Sequence, residues 1–280
     1  MPTEWTAIFF GLISALTWGI GDFSGGLASQ RTHVVSVVIV SQFVGAICLL
    51  GMALLGAEGL PSAADVGLGI VAGIFSAMGL LAFYHGLATT QMGTFASIAA
   101  AISALVPMGV GVWLEGIPAA HRLAGFGLAI LAVWIISQQS AKSSVHLRSL
   151  ALAVIAGFGF ALFFICIDQT SADAILWPLI VGRLSSVVLL TFGSVIVGQW
   201  TKPATHQWLI IALTGLFDSA GNAFYALSAS AGRLDLAAIL ASLYPAATVA
   251  LAWLILGERL TRPQWTGVTM ILLAMVLIAL

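Results

Sequence analysis

Charge is what this sequence has least of. Lys and Arg number 9, Asp and Glu number 10, and together they make up 7% of 280 positions against 61% for apolar residues. A soluble domain carries about 25% charged residues, so this chain cannot clothe a water-facing surface. Its net charge is −1, with no basic cluster, which excludes nucleic acid and anionic lipid headgroups as partners recognised by charge. Cysteine is almost as scarce. Cys48 and Cys166 both fall within apolar runs, so neither a disulfide framework nor a four-ligand metal site can be built, and no metal or cofactor is expected. The familiar catalytic signatures are missing too. There is no H-E-x-x-H, no G-x-S-x-G, no recognisable pair of catalytic carboxylates and no G-x-x-x-x-G-K-[ST], so neither an enzyme nor a direct user of ATP is expected.

What the sequence has is apolar length. Ten apolar runs cover roughly 4–26, 34–56, 66–88, 94–114, 123–140, 149–167, 177–199, 207–229, 236–256 and 264–280. About twenty helical residues at 1.5 Å each span the ~30 Å hydrocarbon core of a bilayer. The fold class predicted is therefore an all-α integral membrane protein with ten transmembrane helices. The first run (Trp5–Ile20) lacks a basic leader and a small-x-small cleavage site, and is expected to be a permanent helix. Every interruption is short, which leaves no room for a soluble domain. The most polar one, Ser140–Ser149, divides the chain into a first unit over 1–140, a linker over 141–148 and a second unit over 149–280.

The two units resemble each other. A displacement of 142 residues lays Gly73-Ile74-Phe75 on Gly215-Leu216-Phe217, Gly79 on Gly221, and Trp18 on Phe160. A one-residue slip aligns Ala82-Phe83-Tyr84 with Ala223-Phe224-Tyr225, and a further gap lets Pro107 answer Pro245. Matches at one near-constant offset indicate a duplication. With five helices per copy the second copy is inverted in the membrane, which predicts two inverted five-helix repeats around a central cavity.

Ionisable groups inside such spans are costly, so each is a candidate for function. Asp218 lies near the middle of the eighth run, with Asn222 and Tyr225 at i+4 and i+7 on the same helical face. It either lines a cavity, where it meets a substrate ammonium or takes up a proton, or pairs with Arg183 of the seventh run. Asp22 follows Trp18 by one turn in the glycine-rich WGIGDFSGG, facing either a cavity mouth or a helix interface. His85 ends the third run beside Tyr84 and is a candidate for titration near neutral pH. Trp18, Tyr84, Tyr225 and Tyr244 are candidates to line a cavity with aromatic surface. Pro107 and Pro245 are candidate hinges or static kinks, and Arg183 is assigned a structural or pairing role.

Residues 232–267 carry the most recognisable pattern. An apolar run containing Tyr244-Pro245 ends in GERLT, and a final glycine-containing span follows. This pattern resembles EamA-type transporters of the drug/metabolite transporter superfamily. The resemblance implies ten helices in two inverted repeats, a central cavity and the movement of small metabolites, often outward. Arg183 matches an arginine common in that family. Glu258, at the GERLT turn, is expected to cap helix ends and fix the hairpin rather than to touch substrate. The function expected is a secondary transporter, of exporter type, for amino acids or amphipathic and cationic compounds, with protons as a candidate coupling ion. It is expected to act as a monomer or weak homodimer in a bacterial inner membrane. A non-transporting receptor of the same fold is the alternative. The basic residues of the connections (Arg31, Lys142, Arg148, Lys202, Arg259 and Arg262 in the odd-numbered ones) put both termini outside, whereas the resemblance implies cytoplasmic termini.

Overall fold

The computed structural model describes residues 2–115, 119–138, 144–171, 175–198, 201–231, 240 and 243–279. Among these residues ten α-helices and one 3-10 turn form, and no strand does. The helices are α1 (Pro2–Ser29), α2 (Val34–Leu55), α3 (Ala63–Thr89), α4 (Met92–Glu115), α5 (Ala120–Gln138), α6 (Ser144–Asp168), α7 (Leu176–Val197), α8 (Trp208–Ala231), α9 (Tyr244–Leu256) and α10 (Arg262–Ala279). Six of them, α1, α2, α3, α6, α7 and α8, are long and apolar enough to cross a membrane, and the other four hold shorter apolar stretches. The chain is a multi-pass membrane protein.

Helix ends follow local chemistry. α3 starts three residues before its apolar run because Ser62 and Asp65 form a capping box, each side chain bonded to the other's backbone N–H. α7 and α9 end on Gly198 and Gly257, both in the left-handed conformation at φ 67° and 66°. One boundary corrects the sequence reading. α6 begins at Ser144, inside the stretch expected to be linker, since Val145–Arg148 contains nothing that breaks a helix. The ninth run, 236–256, is read as a span broken at its interior Tyr244-Pro245, and α9 does start at Tyr244, with Pro245 in its first turn, where a residue with no N–H to donate costs least. Residues 232–239 and 241–242 lie outside the described residues. Pro107, by contrast, is carried within α4.

Packing pairs the helices in a regular way. α1 lies against α8 and α3 against α6; α3 against α7 and α2 against α8; α4 against α6 and α1 against α9. In each couple, renumbering the helices by five turns one pair into the other. The pairs α2–α7, α4–α9 and α5–α10 map onto themselves. Two matched glycines allow the closest approaches. A Cβ on Gly73 would collide with the Gly182 carbonyl, and one on Gly215, 142 positions later, with the Ser41 carbonyl. Hydroxyls then bond across the seams: Ser186 Oγ donates to Gly73 O at 2.6 Å, and Ser219 Oγ to Gly45 O at 3.1 Å.

The connections gather at two ends. At one, Ser36 Oγ donates to Thr201 O at 2.7 Å, and Gln264 Nε2 to Gln91 Oε1 at 2.6 Å. At the other, Glu58 Oε1 accepts the Leu176 N–H at 2.8 Å, and Asp65 accepts the N–H and hydroxyl of Ser171 at 2.8 and 2.9 Å. The start of α2 thus meets the segment after α7, and the segment after α2 meets the start of α7. The two helices run antiparallel.

Candidate functional site

Between these ends, α2, α7 and α8 bring together the one ion pair among the described residues. Arg183 Nη2 donates to Asp218 Oδ2, and Nη1 donates to Gln42 Oε1 at 2.6 Å. Gln42 passes the chain on, its Nε2 donating to Ser76 Oγ of α3 at 3.2 Å. The guanidinium fits because Gly45 has no side chain where Nη1 lies. The Arg183 side chain is 9% exposed and that of Asp218 33%. Of the two readings open for Asp218, pairing with Arg183 is therefore realised, while its side chain stays partly accessible. A cation held among membrane helices is expected to have such a partner.

The Asp218 backbone organises a second group. Its carbonyl accepts Trp18 Nε1–H from α1 at 3.2 Å and Asn222 Nδ2–H at 2.9 Å. Asn222 thus turns its amide back onto its own helix. The Trp18 indole lies over Gly221, stacks on Tyr225 with ring centres 6.0 Å apart, and meets Tyr244 edge-on at 6.3 Å. Trp18, Tyr225 and Tyr244 therefore form one aromatic group built by α1, α8 and α9. The Tyr84 ring is buried against Gly25 of α1, within electrostatic reach of Asp218, Asp22 and Arg183.

Asp22 sits on the part of α1 that touches all of these. Gly21 abuts the Asp218 backbone, Gly19 abuts Tyr244 and Thr248 of α9, and Gly25 abuts Tyr84. Asp22 is half-buried, Asp218 is the charge that acts on it, and among the described residues nothing bonds to its carboxylate.

His85 is not part of this assembly. It is exposed while Tyr84 beside it is buried, because successive helical residues point about 100° apart. Glu258 does cap a helix, but not one in its own hairpin. Its carboxylate accepts the Met92 N–H at 2.8 Å and the Gly93 N–H at 3.3 Å, closing the N-terminus of α4. From Met92 to Ser103 α4 is buried on every side, so this carboxylate tethers an element embedded in the bundle. Gln42 and Ser76 were missed by sequence reasoning. Gln42 carried a usable signal, an amide in the middle of the run 34–56, but a search confined to ionisable groups passes over it.

Residues 143–280 match the EamA-like transporter family. One solved crystal structure superposes with a TM-score of 0.68, over 97% of this chain and 96% of its own, at 14% sequence identity. At that identity the likeness speaks for the fold alone. No curated protein matches the chain.

Proposed function

The chain belongs to the EamA-like transporter family of the drug/metabolite transporter superfamily, matched over residues 143–280, and from that premise we propose that it is a secondary transporter that exports a small organic metabolite by alternating access. The observation that carries this reading is the Arg183–Asp218–Gln42 network at the heart of the helices, beside the Trp18–Tyr225–Tyr244 group. Polar and charged groups are retained inside a membrane where they meet a solute, and aromatic faces supply the apolar remainder of a binding surface.

All ten helices span the bilayer, as two inverted five-helix repeats covering the chain on either side of the connection between α5 and α6. The exchange of helix pairs on renumbering by five supports this, as does the matched pair of close glycine approaches. Rocking of one repeat on the other about the central site exposes that site to each side in turn. The α2–α7, α4–α9 and α5–α10 contacts lie on the pseudo-two-fold axis and serve as pivots. Amino acids and amphipathic or cationic compounds fit the site, with Asp22 and Asp218 as candidates for coupling to protons. The bacterial inner membrane is the location proposed, with the monomer or a weak dimer as the working unit.

Counterflow in proteoliposomes, with labelled amino acids and organic cations and with or without a pH gradient, tests the reading. Saturable flux of one class is the expected result. Binding without flux for any class would reduce the protein to a receptor of this fold.

A further inference from the structure

Charge does not balance at the centre of the molecule. Two carboxylates, Asp22 and Asp218, act on each other there, and Arg183 is paired with one of them. Both guanidinium ends of Arg183 are occupied, by Gln42 and by Asp218. Among the described residues every other Lys or Arg is exposed at a helix end or connection; Lys142 and Arg233 lie outside those residues. When ionised, Asp22 therefore carries a negative charge, half-buried among helices, that no cation of the protein among the described residues answers. An uncompensated carboxylate in such a place costs several kcal/mol, and a positively charged ligand removes that cost.

We propose that Asp22 anchors the ammonium group of an organic cation, whose apolar body rests on Trp18 and Tyr244. The proposal rests on the transporter reading and assigns its substrate class. The positions follow from α1. Asp22 lies one turn from Trp18, and its glycine neighbours bring the Asp218 backbone, Tyr244 and Tyr84 against the same stretch of helix. Aromatic faces attract a cation, most strongly that of Trp, so the rings and the carboxylate favour the same ligand. An anionic head group finds no free cation, since Arg183 is engaged. A neutral one leaves Asp22 unanswered. Asp218 serves the ligand indirectly, by holding Arg183 away from Asp22.

The test uses three probes with one phenyl body and different head groups: 2-phenylethylammonium, 3-phenylpropionate and 2-phenylethanol. Each is titrated calorimetrically into the purified full chain. The ammonium is expected to bind at least tenfold tighter than the other two. Asp22→Asn is expected to lose tenfold or more of that affinity, and Asp22→Glu to recover part of it. Equal binding of the three probes, or failure of the ammonium to bind, overturns the proposal using the natural chain alone, whether or not the variants fold. Counterflow with labelled 2-phenylethylammonium separates the two claims. Head-group-selective binding without flux upholds the site and removes the transporter reading. Flux of uncharged or anionic solutes that is unchanged in Asp22→Asn upholds the transporter and overturns the site. Flux of an uncharged solute driven by a pH gradient and lost in Asp22→Asn assigns the carboxylate to protons, and also overturns it.

Discussion

Breaking the Arg183–Asp218 pair should destabilise the protein more than removing it altogether. Loss of one partner of a fully desolvated pair costs about 3–5 kcal/mol, because a bare charge stays behind. Here one partner is 9% exposed but the other 33%, so solvent offsets part of that cost. Arg183→Gln also leaves Asp218, with Asp22 nearby, without its cation. A cost of about 2–4 kcal/mol follows for Arg183→Gln. At roughly 2–4 °C per kcal/mol for a chain of this size, the thermal midpoint should fall by about 5–10 °C. In the double variant Arg183→Gln/Asp218→Asn two amides replace two charges and can bond to each other and to Gln42. It should regain about 2 kcal/mol relative to the sum of the single variants. The assay is thermal unfolding of detergent-purified protein followed by size-exclusion fluorescence. Strict additivity of the two substitutions would refute the argument, since it would mean that the pair carries no coupling energy.

Other expectations rest on other contacts. Glu258→Ala removes the cap on the Met92 and Gly93 amides. It should cost about 1–2 kcal/mol and speed hydrogen exchange at the start of α4, with Glu258→Gln intermediate; unchanged exchange there would mean that the tether holds nothing. Gly215→Ala drives a methyl into the Ser41 carbonyl, backbone that cannot rotate aside. It should cost about 1–3 kcal/mol in the same thermal assay, whereas Gly193→Ala, with open space around its Cβ, should be neutral or stabilising by up to about 1 kcal/mol. Equal effects at the two glycines would contradict the α2–α8 packing described.

The spans were legible because nothing interrupts them. Runs such as 34–56 and 177–199 became α2 and α7 with boundaries within a few residues. Errors arose where an end is set by something other than hydropathy. Ser62 and Asp65 extend α3 beyond its apolar run, and α6 starts at Ser144, ahead of its own run. At the site, Asp218 and Arg183 stood out because charges are so rare in this chain. Gln42 and Ser76 did not, because uncharged polar residues are common in membrane helices. His85 was grouped with Tyr84 by adjacency, and helical phase separates them. The cap that Glu258 places on α4 joins positions 166 apart, a pairing that no local pattern encodes.

The central claim is that one site is open to each side of the membrane in turn. Asn222→Cys, in a chain with Cys48→Ala and Cys166→Ala, puts a single thiol beside Asp218, where the Asn222 amide bonds the Asp218 carbonyl. The measurement is its labelling by a membrane-impermeant maleimide, applied separately to right-side-out and inverted vesicles. Alternating access predicts modification from both sides, slowed in both by a transported solute. A thiol that reacts from one side only, whatever solute is present, would contradict the account.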